Sequence, residues 1–233
     1  MNSKVIFYLF VINAILNIIA LITGSDLLNY ITKPLLMILL GWYVYQSTPR
    51  NGFTNMMLLG ILFSVGGDTA LMIQENPNFF IIGLLSFLIA HVYYIIGMYR
   101  FPGFKSGLLH QKWWLGLSLI IYGFCLVYIL WSGLGEMKLP VTIYSTIIML
   151  MGLSALNLFG RTNKATVQLF FIGALLFIFS DSVIAINKFG IDGLTIPFPS
   201  LITMTTYIIG QFLIAKATIL SGNNMDNENI SSY

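Results

Sequence analysis

An all-α, polytopic membrane protein of about eight transmembrane helices is what this sequence predicts, on three observations. Of its 233 residues, 58% are hydrophobic and 8% are charged, with a mean hydropathy of +0.88. A soluble domain carries about 25% charged residues, because its surface must be hydrated. The apolar residues gather into eight stretches, each long enough to cross a hydrocarbon core of about 30 Å as a helix. The basic residues fall mostly in the short breaks between those stretches. A soluble domain is excluded.

In order, the stretches are Val5–Ile22, Leu27–Tyr45, Thr54–Ile73, Phe79–Tyr99, Trp113–Trp131, Leu139–Leu158, Thr166–Ile186 and Ser200–Leu220. They make residues 1–220 one transmembrane domain. The polar tail 221–233 is expected to be disordered. The first stretch is long for a signal-peptide core and starts on a single basic residue, Lys4, so it reads as a span.

Loop charge sets the expected orientation. Lys4, Arg50, Arg100, Lys105, Lys112, Arg161, Lys164 and Lys216 lie on the side of the N-terminus, and only Lys138 and Lys188 on the other. The positive-inside rule then puts both termini in the cytoplasm, in what is read as a bacterial inner membrane. Trp42, Trp113, Trp114 and Trp131 mark helix ends, where interfacial aromatics belong. A net charge of +3, scattered over short loops, does not indicate a nucleic-acid partner. The single cysteine, Cys125, excludes an internal disulfide and a cysteine-based metal site.

An offset of 113 residues aligns the two halves, about 1–107 and 108–220. It carries Leu62–Asp68 onto Leu175–Asp181, and Tyr94–Met98 onto Tyr207–Gln211. The third and fourth helices thus match the seventh and eighth. Four helices per half predict a parallel repeat about an axis along the membrane normal.

Charge inside a bilayer costs several kcal/mol per group, so such groups are functional candidates. Asp68, Asp181, Lys33 and His91 are the ionisable residues inside spans. At about 1.5 Å rise per residue, both aspartates lie about 21–23 Å from the cytoplasmic helix ends, and Lys33 lies about 9 Å below the opposite face. Tyr144 and Tyr207 reach similar depth. Gly60, Ser64 and Asp68 share a small, polar helix face, as do Thr203, Tyr207 and Gln211 on the last helix. Tyr94 and His91 lie together on the fourth helix. The expectation is that Asp68 and Asp181 face each other across an apolar pocket and hold protons unequally, as a general acid and a general base. Blander roles fit the same residue types. Asp68 and Lys33 suit a structural ion pair. His91 and Gln211 suit interhelical hydrogen bonds, and the tyrosines suit packing with a satisfied hydroxyl. Metal binding is disfavoured, because one histidine and two acids lack close ligand spacing.

At these residues the chain resembles the YhhN-like lysoplasmalogenase family. The resemblance is carried by Tyr30–Leu35, Gly67–Met72 and Ala90–Tyr94 in the first half. In the second half it is carried by Pro140–Tyr144, Gly173–Ser182 (with Ser180 before Asp181) and Thr206–Gln211. It implies an eight-helix membrane hydrolase that acts on a lysophospholipid bearing a vinyl ether at sn-1, releasing a fatty aldehyde and a glycerophospho-alcohol without a cofactor. Asp68, Asp181 and His91 would be the catalytic group. Lys33, Ser64, Tyr94, Tyr144, Ser180, Tyr207 and Gln211 would bind substrate. Lys33 would serve a carboxylate or the lipid phosphate. A small-solute or proton-coupled transporter is the alternative that paired acids and a parallel repeat also suit. Many transporters break helices at the midplane, however, and no span here has a central proline.

Overall fold

The computed structural model describes residues 2–73, 77–190 and 196–231. Eight of its helices are long and apolar enough to cross a membrane. These are α1 (Ser3–Thr23), α2 (Asp26–Ser47), α3 (Gly52–Met72) and α4 (Pro77–Arg100) in the first half. The second half holds α5 (Trp113–Leu130, opening on a 3-10 turn), α6 (Lys138–Leu156), α7 (Lys164–Phe189) and α8 (Pro199–Ser231). The protein is an integral, multi-pass membrane protein.

The helix ends follow local chemistry. Asn51 and Asn163 accept hydrogen bonds from the backbone N–H of Thr54 (2.8 Å) and Thr166 (2.9 Å), capping α3 and α7. Gly24, at φ +66°, ends α1 in the left-handed region and lets α2 begin two residues later. Pro34 lies inside α2, eight residues beyond its first residue. Its ring removes one helical N–H donor without ending the helix.

The helices pair as hairpins. Side chains of Asn13 and Asn17 on α1 donate to the Thr32 carbonyl (2.8 Å) and the Thr32 hydroxyl (2.9 Å) on α2. In lipid such interhelical bonds replace the hydrophobic force that water would supply. Helices α3 and α4 pack through glycines: a Cβ on Gly60 would lie 2.3 Å from the Tyr94 ring. Helices α7 and α8 approach backbone to backbone, and a Cβ on Gly173 would meet the Gly210 carbonyl at 2.8 Å. Gly60 and Gly173, like Gly97 and Gly210, are equivalent under the 113-residue offset. The halves meet where α4 packs on α6 and where α8 packs on α1, α2 and α3. Ile12, Ile15, Phe124 and Tyr128 are exposed on the outer surface of the bundle, as lipid-facing residues should be.

The stretch expected to be a disordered tail from Ser221 is instead helical through Ser231; residues 232–233 lie outside the described residues. Extending an existing helix needs no new nucleus. Here the extension is also anchored: Asn223 donates to the Ser47 carbonyl at 3.3 Å, and Gly222 packs against Thr48. Between the halves, Arg161 donates to the carbonyls of Met98 (3.0 Å), Pro102 (3.0 Å) and Phe101, so it caps α4. Half-burial pulls its guanidinium down to about 10, still cationic at neutral pH.

Backbone contact at Gly173 leaves no flexible group to yield. Gly173→Val is expected to lower stability by about 1–3 kcal/mol, the usual cost of overpacking. Thermal unfolding in detergent checks this, with lipid-facing Leu62→Ala as the near-neutral control.

Candidate active site

Two carboxylates lie inside the bundle, and each is held by one tyrosine from a neighbouring helix. Asp68, 2% exposed, accepts the Tyr207 hydroxyl at 2.7 Å, joining α3 to α8. Asp181 accepts the Tyr144 hydroxyl through Oδ2, joining α7 to α6. Asp68 lies 16 residues beyond the start of α3 and Asp181 17 beyond the start of α7, so the two share one depth.

Their surroundings differ. The Asp181 side chain is 13% exposed, and His91 Nε2 stands 3.8 Å from its Oδ2. That imidazole is fully buried on α4, 3.4 Å from the Tyr144 hydroxyl oxygen. Asp181, Tyr144 and His91 therefore form one polar cluster. The other cluster is a chain of side chains around Asp68. Tyr94 donates to Gln211 Oε1 (2.9 Å), and Gln211 Nε2 donates to Ser64 Oγ (3.1 Å), one turn from Asp68 on α3. Between the clusters stands an aromatic group. Phe177 meets His91 edge-on at 4.7 Å and Tyr207 edge-on at 5.3 Å, and Phe87 packs against Phe177 and Tyr207.

Two apolar crevices reach Asp181 and Tyr144. One, about 440 Å³ with its open mouth, is walled by α3, α4, α6 and α7 through Leu71, Phe80, Leu84, Phe87, Val141, Ile184, Ala185 and Phe189. The other, about 370 Å³ on the same measure, runs between α5, α6 and α7 past Leu126, Ser145, Ile178 and Ser182.

Against these walls the expected site divides. Asp181 and Tyr144 line both crevices. His91 lies behind them, within reach of both. Asp68 lines neither, so the two acids do not face each other across one open pocket. Tyr94, Gln211 and Ser64 are bonded to one another in the closed interior and have no face on a crevice. Ser180 donates to the Thr203 carbonyl at 3.1 Å, a bond between α7 and α8. Lys33 acts electrostatically on Asp68 but makes no ion pair within 4.0 Å among the described residues. The expected ion pair is thus a longer-range interaction. The hydrocarbon lining, Phe87 and Val141 above all, went unread in the sequence, because apolar residues in an apolar span carry no signal of which face they turn inward. Among the described residues, no three of His, Cys, Asp and Glu come together.

A membrane-embedded bundle with a carboxylate and a tyrosine lining apolar crevices, and a histidine behind them, defines an intramembrane site with acid–base capacity. The profile of the YhhN family matches residues 28–218, and the chain belongs to that family. It is 30% identical over 179 residues to lysoplasmalogenase TMEM86A of Bos taurus, covering 75% of this chain and 70% of that one. To lysoplasmalogenase TMEM86B of Homo sapiens it is 29% identical over 191 residues, 82% of this chain and 75% of that one. The membrane protein YhhN of Escherichia coli O157:H7 is 25% identical over 214 residues, 90% of this chain and 96% of that one. No solved structure matches the chain.

The Tyr94–Gln211–Ser64 chain makes a thermodynamic prediction. Gln211→Leu takes the acceptor from the buried Tyr94 hydroxyl and one donor from Ser64, which keeps its bond to the Gly60 carbonyl, and is expected to lower stability by about 1–3 kcal/mol. In a Tyr94→Phe background the loss should shrink, giving a coupling of about 0.5–3 kcal/mol in a double-mutant cycle followed by thermal unfolding. Strict additivity would show that the chain does not form.

Proposed function

We propose that the protein hydrolyses the sn-1 vinyl ether bond of lysoplasmalogens, with Asp181 as the group that exchanges protons with substrate. One observation carries this reading: Asp181 is a carboxylate at the floor of an apolar crevice, with a tyrosine and a histidine beside it. The names of the mammalian relatives supply the substrate class.

The chemistry follows from the bond. A vinyl ether hydrolyses by slow protonation of its β-carbon, which leaves an oxocarbenium ion at the α-carbon and oxygen. The ion resembles the one formed in glycoside hydrolysis, where carboxylates supply the proton and stabilise the cation. Tyr144 occupies Oδ2 of Asp181, leaving Oδ1 to carry the proton that is transferred. Water then adds to the α-carbon and returns a proton to Asp181, directly or through His91. The hemiacetal loses its hydroxyl proton as the glycerol oxygen departs with one, so aldehyde and glycerophospho-alcohol form with no net change in protons. Asp68 lines no crevice, so its part is indirect. Its bond to Tyr207 fixes the aromatic wall formed with Phe87. The spans that surround the site would let a lysolipid enter from the bilayer. The positive-inside distribution of loop charge supports cytoplasmic termini, and with them a bacterial inner-membrane setting.

Asp181→Asn keeps the shape of the site and removes the transferable proton. It is expected to cut aldehyde release from a vinyl-ether lysolipid by about a hundred- to ten-thousand-fold, the usual worth of a general acid. Asp68→Asn should cut it less, and the acyl lysolipid should bind without cleavage. Aldehyde quantified from purified, folded variants checks this. Full turnover in Asp181→Asn, or equal cleavage of the acyl lipid, refutes the reading.

A further inference from the structure

Every residue assigned so far concerns the reacting bond, and none of them meets the charged end of a lysophospholipid. No residue of α2, Lys33 included, lines either crevice. The larger crevice points elsewhere. Asp181, Ile184 and Ala185 line it from α7, at the i, i+3, i+4 spacing of one helix face. The next residue on that face is Lys188, at i+7, one residue before α7 ends. Its ammonium lies 4.2 Å from the ring centroid of Phe80, and Phe80 and Phe189 wall the same crevice. The two rings meet edge-on at 5.9 Å. Lys188 is exposed. It therefore stands at the rim of the crevice whose floor is Asp181.

Depth agrees with this. Lys164 and Lys188 lie near opposite ends of α7, 24 residues apart, or about 36 Å at 1.5 Å per residue. That spans the hydrocarbon core and leaves Lys188 at the level of the lipid headgroups. Two helical turns, about 10 Å, separate it from Asp181. In an extended lysoplasmalogen, seven bonds join the vinyl β-carbon to phosphorus, a reach of roughly 8 Å at ordinary bond lengths. A flexible lysine stem covers the difference.

We propose that Lys188 is the phosphate anchor of the site. It holds the lysophospholipid headgroup at the membrane face opposite the N-terminus while the tail lies in the crevice and the vinyl ether rests on Asp181. The substrate is then drawn from the leaflet on that face, and the phosphate sets the register of the chain against the acid. Lys188 is a binding and positioning residue, not a catalytic one. The inference rests on the reading of Asp181 as the acid at the substrate, but its test does not require turnover.

The probe is the hexadecyl ether of glycerophosphoethanolamine, which lacks the vinyl bond. Its partner is the phosphate-free hexadecyl glycerol ether. Binding of each to the full chain in detergent is titrated by native mass spectrometry. Lys188→Glu and Lys188→Gln are expected to weaken the phosphate-bearing lipid about tenfold or more, as for loss of a bond to a charged group. Lys188→Arg should retain affinity, and the glycerol ether should bind all four proteins alike. Lys138, on the same face and 5.1 Å from the Trp131 ring, is the control: Lys138→Glu should match wild type. Unchanged affinity in both Lys188 variants overturns the anchor. So does an equal loss for the glycerol ether, or an equal loss in Lys138→Glu. Vinyl-ether turnover by wild type, measured alongside, separates the two readings. Turnover without Lys188-dependent binding removes only the anchor. Lys188-dependent binding without turnover removes only the hydrolase.

Discussion

A carboxylate inside a bilayer persists only if donors hold it, and here each buried acid is held by one tyrosine hydroxyl from another helix. Tyr207 on Asp68 ties α8 to α3, and Tyr144 on Asp181 ties α6 to α7. Much else in the interior depends on these two bonds. The glycines at 60, 97, 173 and 210 set the other close contacts of the bundle. Those glycines bring α3 against α4 and α7 against α8, so His91 and Phe177 stand at the middle of the bundle. Lipid offers hydrocarbon helices little reason to associate, so small residues and interhelical polar bonds supply it.

The eight spans were legible because hydrocarbon thickness sets a minimum length, and an apolar run of that length has few other uses. The depth of Asp68 and Asp181 was legible because a helix rises by a constant amount per residue. Ser64 and Gln211 were recognisable as interior residues from their polarity, but not as partners of each other. Their bond crosses from α3 to α8, and sequence periodicity describes one helix at a time. The end of α8 was misjudged because polar composition marks where a helix leaves lipid, not where it stops. The crevices were invisible for the same reason as their walls: Phe80, Leu84 and Val141 look like any other lipid-facing residue until the neighbouring helix is placed.

The two acids differ in their surroundings, and the difference lies in particular residues. Under the offset of 113 residues, Asp68 answers to Asp181 and Tyr94 to Tyr207. Were the halves identical in detail, Tyr94 would hold Asp181 as Tyr207 holds Asp68. Tyr94 instead donates to Gln211, whose counterpart is Met98. A methionine offers no comparable acceptor. Gln211 also bonds Ser64, whose counterpart is Phe177. One half therefore closes around a polar chain, and the other fills the same position with an aromatic ring.

That exchange leaves Asp181 to different company. Tyr144 supplies its hydroxyl from α6, and His91, whose counterpart is Met204, supplies an ionisable ring from α4. On the proposed reading, that histidine gives Asp181 a route for protons. The crevices reach Asp181 as well. On that reading, Asp181 needs both access and a partner of intermediate basicity, whereas Asp68, which lines neither crevice, needs neither. Gln211, Ser64 and His91, none of which is matched by a like residue under the offset, thus account for the different surroundings of the two aspartates.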